Sequence, residues 1–249
     1  MKDNTKTVLI TGSSRGIGKG IAIDMARAGY IPLITYKNDE GSALDTLNHV
    51  KKFSKNSKIY KLDVTNRENI KNVIDEIIID YKNLDILINN AGINQRCSFY
   101  EISDEDWDTM LETNLKGPFM LTQECLKIMR QGSRIINISS VAGQYHGPKT
   151  VHYAVSKAAL NSLTKSSARY AAEKGIYINA IAPGLILTDQ NKEEFESGAA
   201  DKIIFETTLL KRPGDIVDVS SACLFLCDPK QNYMTGQVIA LSGGAILDN

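Results

Sequence analysis

The sequence predicts an α/β fold with a doubly wound parallel sheet. Two observations lead to this. Short runs rich in β-branched residues alternate with helix-length amphipathic stretches along the chain, which is typical of repeated βαβ units. The strand runs are also almost continuously apolar, as in strands whose two faces are both covered by helices. Right-handed crossovers between such strands produce the doubly wound arrangement.

The elements follow in chain order. Seven strands are predicted at Thr7–Thr11, Ile31–Tyr36, Lys58–Leu62, Leu84–Asn89, Arg134–Ser139, Ile176–Ile181 and Gln237–Leu241. Helices are predicted at Ile17–Ala28, Gly41–Phe53, Arg67–Tyr81, Asp104–Met129, Tyr153–Glu173 and Ile216–Leu226. The fourth helix is expected to break near Gly117-Pro118.

Domain organisation follows from length and continuity. A chain of 249 residues without a linker, repeat or low-complexity tract fits a single domain. The segment Leu185–Lys211 has no strong periodicity. A loop of that length in a compact domain is usually functional, so we expect it to form a lid over the site.

Composition excludes several classes of function. Apolar residues make up 43% and charged residues 23%, and the 29 basic and 29 acidic residues give zero net charge. Neither a nucleic acid nor an anionic membrane surface is therefore expected as the main partner. No apolar run is long enough for a membrane helix or a secretion signal, so a cytoplasmic location is expected. Cys223 and Cys227 are interpreted as core residues, and no metal site is predicted.

A glycine-rich turn follows the first strand. In Thr11-Gly12-Ser13-Ser14-Arg15-Gly16-Ile17-Gly18, Gly12 would permit the tight turn and Gly16 a close approach of backbone to a pyrophosphate. Gly18 would let the first helix pack closely. The N–H groups at the start of that helix would then face the phosphates of a dinucleotide.

The end of the second strand indicates which dinucleotide is bound. An enzyme specific for NAD usually has an acidic residue there, which binds the ribose 2′-hydroxyl. Here the strand ends Thr35-Tyr36-Lys37-Asn38. Lys37 and Arg15 could both face a 2′-phosphate, whereas Asp39 and Glu40 suit the first turn of the next helix. The sequence therefore favours NADP(H) over NAD(H).

Three polar residues predict acid–base chemistry. Tyr153 and Lys157 are four residues apart on one helix face. The cation should lower the pKa of the phenol toward neutrality, where a general acid or base works best. Ser140 ends the fifth strand, the end at which α/β sheets place ligands. Its hydroxyl could hydrogen-bond the reacting oxygen.

These motifs, in this order, resemble the short-chain dehydrogenase/reductase family, whose fold is Rossmann-type. The resemblance extends over nearly the whole chain. It rests on the glycine turn, Asp63-Val64, Asn89-Asn90-Ala91-Gly92, Asn114, Ser140, Tyr153 with Lys157, Pro183-Gly184 and the closing Thr235-Gly236-Gln237 to Gly243-Gly244.

The resemblance implies a role for each matching position. Tyr153 would be the acid/base and Ser140 would polarise the substrate carbonyl. Lys157 would tune Tyr153 and bind the nicotinamide ribose, and Asn114 would hold a water that relays protons to Lys157. For Asn89 and Asn114, bonding to backbone at the sheet edge remains an alternative. The implied cofactor-binding residues are Gly12, Ser14, Arg15, Gly16, Ile17, Gly18, Tyr36, Lys37, Asp63 (to adenine), Val64, Asn90, Ala91, Gly92, Tyr153, Lys157, Pro183, Gly184, Ile186 and Thr188.

Within the family, the pattern is most similar to bacterial 3-oxoacyl-acyl-carrier-protein reductases. That likeness implies a homotetramer and an acyl-carrier-bound substrate. Arg130 and Lys174 could supply basic contacts to an acidic carrier protein near the mouth of the site, or be solvated surface charges. The residues before the tyrosine depart from it: His146, Lys149 and His152 stand where substrate contacts are expected. A histidine there could bond a polar substrate such as a sugar, or cap the loop.

Three functional hypotheses follow. The first is an NADPH-dependent reductase of a ketone, with a 3-oxoacyl thioester as the leading substrate. The alternative substrate is a sugar, a polyol or another small hydroxy compound. A more remote hypothesis is a dinucleotide-binding scaffold without catalysis, which would be expected to have lost Tyr153, Lys157 or Ser140; all three are present.

Overall fold

The first strand lies in the middle of the sheet and the chain builds outward from it in two directions. The computed structural model describes residues 5–145, 150–188, 204 and 206–247. Among these, the strands are β1 (Thr7–Ile10), β2 (Ile31–Tyr36), β3 (Lys58–Lys61), β4 (Ile86–Asn89), β5 (Arg134–Ile138), β6 (Tyr177–Pro183) and β7 (Val238–Leu241). All pairings are parallel, in the order β3-β2-β1-β4-β5-β6-β7. All seven predicted strands are confirmed.

Helices cover both faces of this sheet. They are α1 (Gly16–Arg27), α2 (Glu40–Val50), α3 (Arg67–Tyr81), α4 (Asp104–Leu111), α5 (Gly117–Ile128), α6 (Val151–Ala172) and α7 (Ile216–Cys227), with 3₁₀ turns at Phe99–Glu101 and Val141–Gly143. Side chains alternate across each strand. Leu9 therefore packs in the core under α3, α5 and α6, while Val8 and Ile10 pack under α1, α2 and α7.

The ends of several helices show why the sequence places them there. Asp39 caps α2 by accepting from the Ser42 N–H at 2.9 Å, and Glu40 lies in the first turn, as expected from the helix dipole. Asn66 caps α3 in the same way. Ser103 and Asp106 form a reciprocal capping box at the start of α4.

The predicted interruption near Gly117-Pro118 is present, but it is a wider helical turn and not a break in the helix. The helical run continues from α4 into α5 through a π-helical turn at Glu112–Lys116. The Gly117 N–H bonds the carbonyl of Glu112, five residues back. The wider turn comes just before Pro118, whose missing N–H an unbroken α-helix could not accommodate. Gly117 also lets the run pass close to the Val64 carbonyl, 3.0 Å from the place of a Cβ.

The late helix α7 packs its inner face into the core, as the interpretation of Cys223 and Cys227 as core residues expects. Val219, Cys223 and Leu226 are completely or almost completely buried in the core, so they pack within the fold. Cys227 is buried there too. Val217 on the outer face is 54% exposed and plays no part in that packing.

The predicted lid falls mostly on residues 189–203 and 205, which lie outside the described residues. Its described ends are anchored to the fold. Ile186 forms a parallel bridge with Gly214, and the Leu210 N–H bonds the Gly243 carbonyl at 3.0 Å. In the part of the chain that the structure describes, no helix has the length and apolar character needed to span a bilayer.

The contact at Gly18 gives a test of the packing at the first turn. A Cβ there would lie 2.5 Å from Asn90 Nδ2 and 2.6 Å from the Gly12 carbonyl oxygen. We expect Gly18→Ala to lower the free energy of unfolding by about 1–3 kcal/mol, because backbone must shift. Urea unfolding measures this. Gly41→Ala is the control, since its Cβ would meet only Asp39 Oδ1 at 3.7 Å; equal unfolding midpoints for the two variants would contradict the prediction.

Candidate active site

The carboxyl ends of the strands surround one large cavity at the point where the sheet changes direction. β1 and β4 are neighbours there although β2 and β3 come between them in sequence, and such switch points are where doubly wound sheets bind ligands. The cavity has a volume of about 1140 Å³. All the residues predicted to bind the cofactor line it, as do Ser140, Tyr153 and Lys157.

The conformation of the glycine turn is fixed by its φ angles and by hydrogen bonds to Thr35. Gly12 and Gly16 have φ values of +61° and +57°, a left-handed conformation that glycine adopts without strain. The Thr35 hydroxyl accepts from the Gly12 N–H at 3.0 Å, and the Ser13 hydroxyl accepts from the Thr35 N–H at 3.0 Å. β1 and β2 are thereby joined just behind the turn.

The start of α1 fits a phosphate group. No side chain caps this helix, and its N-cap residue is Arg15. The first N–H groups of a helix need an acceptor from outside the helix. The place of a Cβ at Gly16 has no neighbour within 4 Å, so a ligand can approach the backbone. These features fit the pyrophosphate of a dinucleotide.

Asn90 supports the turn from the opposite strand. Its side-chain amide donates to the carbonyls of Thr11 and Gly12 at 2.9 and 3.0 Å. The Thr11 hydroxyl in turn accepts from the N–H groups of Asn90 and Ala91 at 2.9 and 2.8 Å. Asn90 therefore lines the cavity and also fixes the distance between the ends of β1 and β4.

Charged residues gather at the end of the cavity formed after β2 and β3. Lys37 Nζ lies 2.9 Å from Asp63 Oδ2. Burial raises the pKa of Asp63, but the hydrogen bonds from Lys37 and Thr65 outweigh it, and the pKa is lower than usual. Lys37 is thus not an isolated surface charge. Arg15 and Asp39 line the same end.

Tyr153 and Lys157 lie on the cavity face of α6, as their spacing predicts. Lys157 Nζ is 5.6 Å from the centre of the Tyr153 ring and donates to the Ile138 carbonyl at 2.9 Å. Burial lowers the pKa of Lys157 to about 8. Burial also raises the pKa of Tyr153, opposed by a hydrogen bond with Ser140. The expected lowering of the Tyr153 pKa by Lys157 is therefore wrong for this structure, because desolvation dominates.

Ser140 stands between the fifth strand and the 3₁₀ turn that follows it. Its backbone is extended, and its hydroxyl accepts from the Ala142 N–H at 3.1 Å. That bond uses a lone pair of the oxygen, and the O–H proton remains for a second partner. The serine can therefore interact with Tyr153 and with a substrate oxygen.

Asn114 does not line the cavity but lies directly behind its wall. It is fully buried within the π-turn. Its side chain binds the Ile93 backbone in both directions, accepting from the N–H and donating to the carbonyl at 2.9 Å each. It also donates to the Ser156 hydroxyl at 3.1 Å, which donates to the Tyr153 carbonyl at 2.7 Å. The alternative of backbone bonding is confirmed for Asn114.

For Asn89 the same alternative is wrong. Its amide donates to Asn137 Oδ1 at 2.8 Å and to the Thr122 hydroxyl at 3.4 Å. Asn137 in turn donates to the Thr164 hydroxyl at 2.8 Å. These buried side chains form a ladder from β4 through β5 to α6. Asn89 is a structural residue below the cavity.

Three expectations about the substrate region need correction or fall outside the described residues. His152 is fully buried, does not line the cavity, and has no hydrogen-bond partner at either ring nitrogen, so it neither contacts a ligand there nor caps the loop. His146 and Lys149 lie outside the described residues. Arg130 and Lys174 come just before β5 and β6. They therefore lie at the amino-terminal ends of the strands, and the cavity is at the carboxyl ends. The expectation that they flank the mouth of the cavity is wrong within one chain.

Sequence reasoning missed several polar residues at the catalytic end of the cavity. They are Asn94, Arg96, Thr109, Thr113 and Thr150. Thr109 and Thr113 are four residues apart on the helical run that contains Asn114, and that spacing was the available signal. Nothing in the sequence pattern distinguished Arg96 or Thr150 from other loop residues.

Comparisons with known proteins agree with this geometry. A family model described as enoyl-(acyl carrier protein) reductase matches residues 12–245. The chain is 35% identical to the 3-oxoacyl-[acyl-carrier-protein] reductase FabG of Staphylococcus aureus strain Mu50, over 96% of this chain and 98% of that protein. The chain belongs to the short-chain dehydrogenase/reductase family. This short-chain dehydrogenase/reductase is an oxidoreductase, so the hypothesis of a non-catalytic scaffold is not retained.

Solved structures of other members share its architecture. "ElxO with NADP Bound" superposes with a TM-score of 0.88 at 33% identity, covering 97% of this chain and 98% of that one. A putative gluconate dehydrogenase from Agrobacterium tumefaciens superposes with a TM-score of 0.91 at 30% identity, covering 98% and 97%. The ElxO structure was solved with NADP bound.

The buried Lys157 predicts a pH dependence of stability. An unfolded lysine has a pKa of about 10.4, and the folded value is about 8. Below pH 8 both states are protonated and burial of the cation costs stability. Between about pH 8 and 10.4 the folded state alone releases the proton, so stability rises with pH.

The measurement compares Lys157→Met with the wild type. From pH 7 to pH 10, the unfolding free energy of the wild type should rise relative to that of Lys157→Met by on the order of 2–3 kcal/mol. Chemical denaturation at each pH measures the difference. Lys165→Met, at an exposed position of the same helix, is the control for loss of a lysine. A constant difference between wild type and Lys157→Met would show that burial does not perturb this group.

Proposed function

We propose that this protein is an NADP(H)-dependent carbonyl reductase, which interconverts a ketone and a secondary alcohol. The observation that carries the proposal is that Ser140, Tyr153 and Lys157 share one cavity with the uncapped start of α1. An acid–base group and a pyrophosphate site therefore open into the same space. A bound nicotinamide would supply the hydride in this chemistry.

Ser140, Tyr153 and Lys157 have separate roles in the proposed reaction. The Ser140 hydroxyl orients the substrate oxygen and stabilises the charge that develops on it. Tyr153 donates a proton to that oxygen. Because its pKa is raised by burial, the phenol is protonated at neutral pH, and this state suits reduction. Lys157, protonated below its pKa of about 8, places a positive charge beside the ring.

In this proposal Asn114 positions the residues that line the cavity without lining it itself. Its bonds to Ile93 and to Ser156 hold the loop after β4 against the first turn of α6. Ser156 passes this restraint to the Tyr153 backbone. A role for Asn114 in holding a water that exchanges protons with Lys157 remains part of the proposal.

The positive groups after β1 and β2 support NADP(H) over NAD(H). Arg15 and Lys37 line the cavity where a 2′-phosphate would lie, and no carboxylate ends β2. Asp63 and Val64 would contact the adenine, and Asn90, Ala91 and Gly92 would line the channel that holds the cofactor. Pro183, Gly184, Ile186 and Thr188 would enclose the nicotinamide end.

The leading substrate is a 3-oxoacyl thioester on an acyl carrier protein. The full-length similarity to reductases of that substrate supports it. A sugar, polyol or other small hydroxy compound is the second candidate. The observation that favours it is the polar lining of the catalytic end by Arg96, Thr109, Thr113 and Thr150. A homotetramer and a cytoplasmic location, as expected from the family, complete the proposal.

Replacing Tyr153 tests the mechanism. Tyr153→Phe should lower kcat by about 10²- to 10⁴-fold, because the proton donor is lost, while NADPH binding measured by fluorescence titration stays close to that of the wild type. Tyr170→Phe is the matched control: it lies on the same helix and is 71% exposed. Full turnover by Tyr153→Phe would exclude this tyrosine as the acid.

A substrate panel tests the choice of ketone. NADPH oxidation should be followed with a 3-oxoacyl thioester, a nucleotide-linked keto-sugar and small keto-acids. The proposal expects the highest kcat/KM for the thioester. Turnover of a polar ketone without turnover of the thioester would replace the leading substrate and leave the reductase assignment intact.

A further inference from the structure

The ion pair between Lys37 and Asp63 lies at the adenosine end of the cavity and concerns selection between the two dinucleotides. Lys37 follows β2 and Asp63 follows β3, and these strands are parallel neighbours in register from Leu33 with Lys58 to Tyr36 with Lys61. Residues just beyond their carboxyl ends are therefore brought together. The Nζ–Oδ2 distance is 2.9 Å, and both side chains line the cavity.

The carboxylate of Asp63 is oriented before any ligand arrives. Its Oδ1 accepts from the Thr65 N–H at 3.0 Å and from the Thr65 hydroxyl at 2.7 Å. With Oδ1 engaged, Oδ2 is the atom that meets Lys37. The Asp63 side chain is 31% exposed and the Lys37 side chain 56% exposed, so the carboxylate is the more firmly placed partner.

Arg15 and Asp39, the other cation and carboxylate at this end of the cavity, do not form an ion pair like that of Lys37 and Asp63. Asp39 uses its carboxylate to cap α2, accepting from the Ser42 N–H at 2.9 Å and the Ser42 hydroxyl at 2.7 Å. Arg15 is the N-cap residue of α1, and the Asp39 carboxylate is engaged by Ser42 and not by this guanidinium. Arg15 and Lys37 thus differ in how strongly a carboxylate opposes them.

We propose that Asp63 limits the selectivity of this site for a 2′-phosphate by holding Lys37. The inference rests on the proposed function, because it concerns the cofactor proposed there. NADPH and NADH share the adenine, both riboses and the pyrophosphate, and they differ in the 2′-phosphate. Contacts of Asp63 with adenosine therefore cancel in the ratio of the two affinities.

A phosphate at this position meets a lysine whose ammonium already has a carboxylate oxygen 2.9 Å away. To bind Lys37, the phosphate must either displace the Asp63 carboxylate or share the ammonium with it. Two anions that compete for one cation bind it less strongly than either does alone. Removing the charge of Asp63 should therefore strengthen NADPH binding relative to NADH binding.

The experiment is a double-mutant cycle on the two dissociation constants. NADPH and NADH are titrated into the wild type, Asp63→Asn, Lys37→Met and the double variant, with nicotinamide fluorescence as the readout. We expect Asp63→Asn to raise the ratio Kd(NADH)/Kd(NADPH) about two- to five-fold, the range of partly exposed ion pairs. In the Lys37→Met background the same substitution should leave the ratio unchanged.

The matched control is Asp80→Asn. Asp80 also pairs with a lysine, Lys58, at 2.7 Å, and it lies at the end of α3, near the start of β3 and away from the cavity. Its replacement should not alter the ratio. Thr65→Val is a second variant, in which the carboxylate is kept but loses the hydroxyl bond that orients it; we expect a smaller rise in the ratio.

Each remaining outcome counts against the inference. Equal losses of NADPH and NADH affinity in Asp63→Asn would mean that this carboxylate acts on adenosine alone. The same rise in the Lys37→Met background would mean direct repulsion of the phosphate, without the ion pair. If the wild type binds neither dinucleotide, the proposed function itself fails, which is distinct from binding of both with an unchanged ratio.

Discussion

The rest of the site depends on the hydrogen bonds that the Thr11 hydroxyl accepts. This hydroxyl accepts two backbone N–H groups from the end of β4, at the place where the sheet reverses its order. On one side of this junction the chain forms the glycine turn, and on the other it leads to Gly92 and the catalytic end. Separating these two strand ends by even a small distance would open the cavity between its phosphate and acid–base halves.

The polar ladder within the core has a related role. Asn89, Asn137 and Thr164 connect two strands to α6, and the Ser139 hydroxyl binds Asn161 and the Lys157 carbonyl. Hydrogen bonds between buried partners are directional, and a helix that slid over the sheet would leave these groups unpaired. The ladder therefore fixes the position of α6 along β5, and with it the height of Tyr153 and Lys157 above Ser140.

Local patterns accounted for most of the fold and for most of the residues that line the cavity. Continuous apolar runs predicted all seven strands, and Gly12, Gly16 and Gly18 marked the turn before any contact was known. Distances between residues far apart in sequence were beyond such reasoning. The pairing of Lys37 with Asp63, the place of Asn114 behind the wall, and the burial of His152 all depend on how separate elements pack. The pKa of Tyr153 was mispredicted for the same reason, since desolvation is a property of the whole surroundings.

The π-turn at Glu112–Lys116 makes this region sensitive to chain length. Each residue in a helix advances the direction of the following side chains by about 100°. Deleting one residue from this turn would let the run close as a regular α-helix, and α5 would be rotated relative to α4 by that angle. Asn114 would then no longer face both Ile93 and Ser156. Functional members of the family that share this geometry should accept substitutions in the turn far more readily than insertions or deletions, so gaps in their aligned sequences should avoid it.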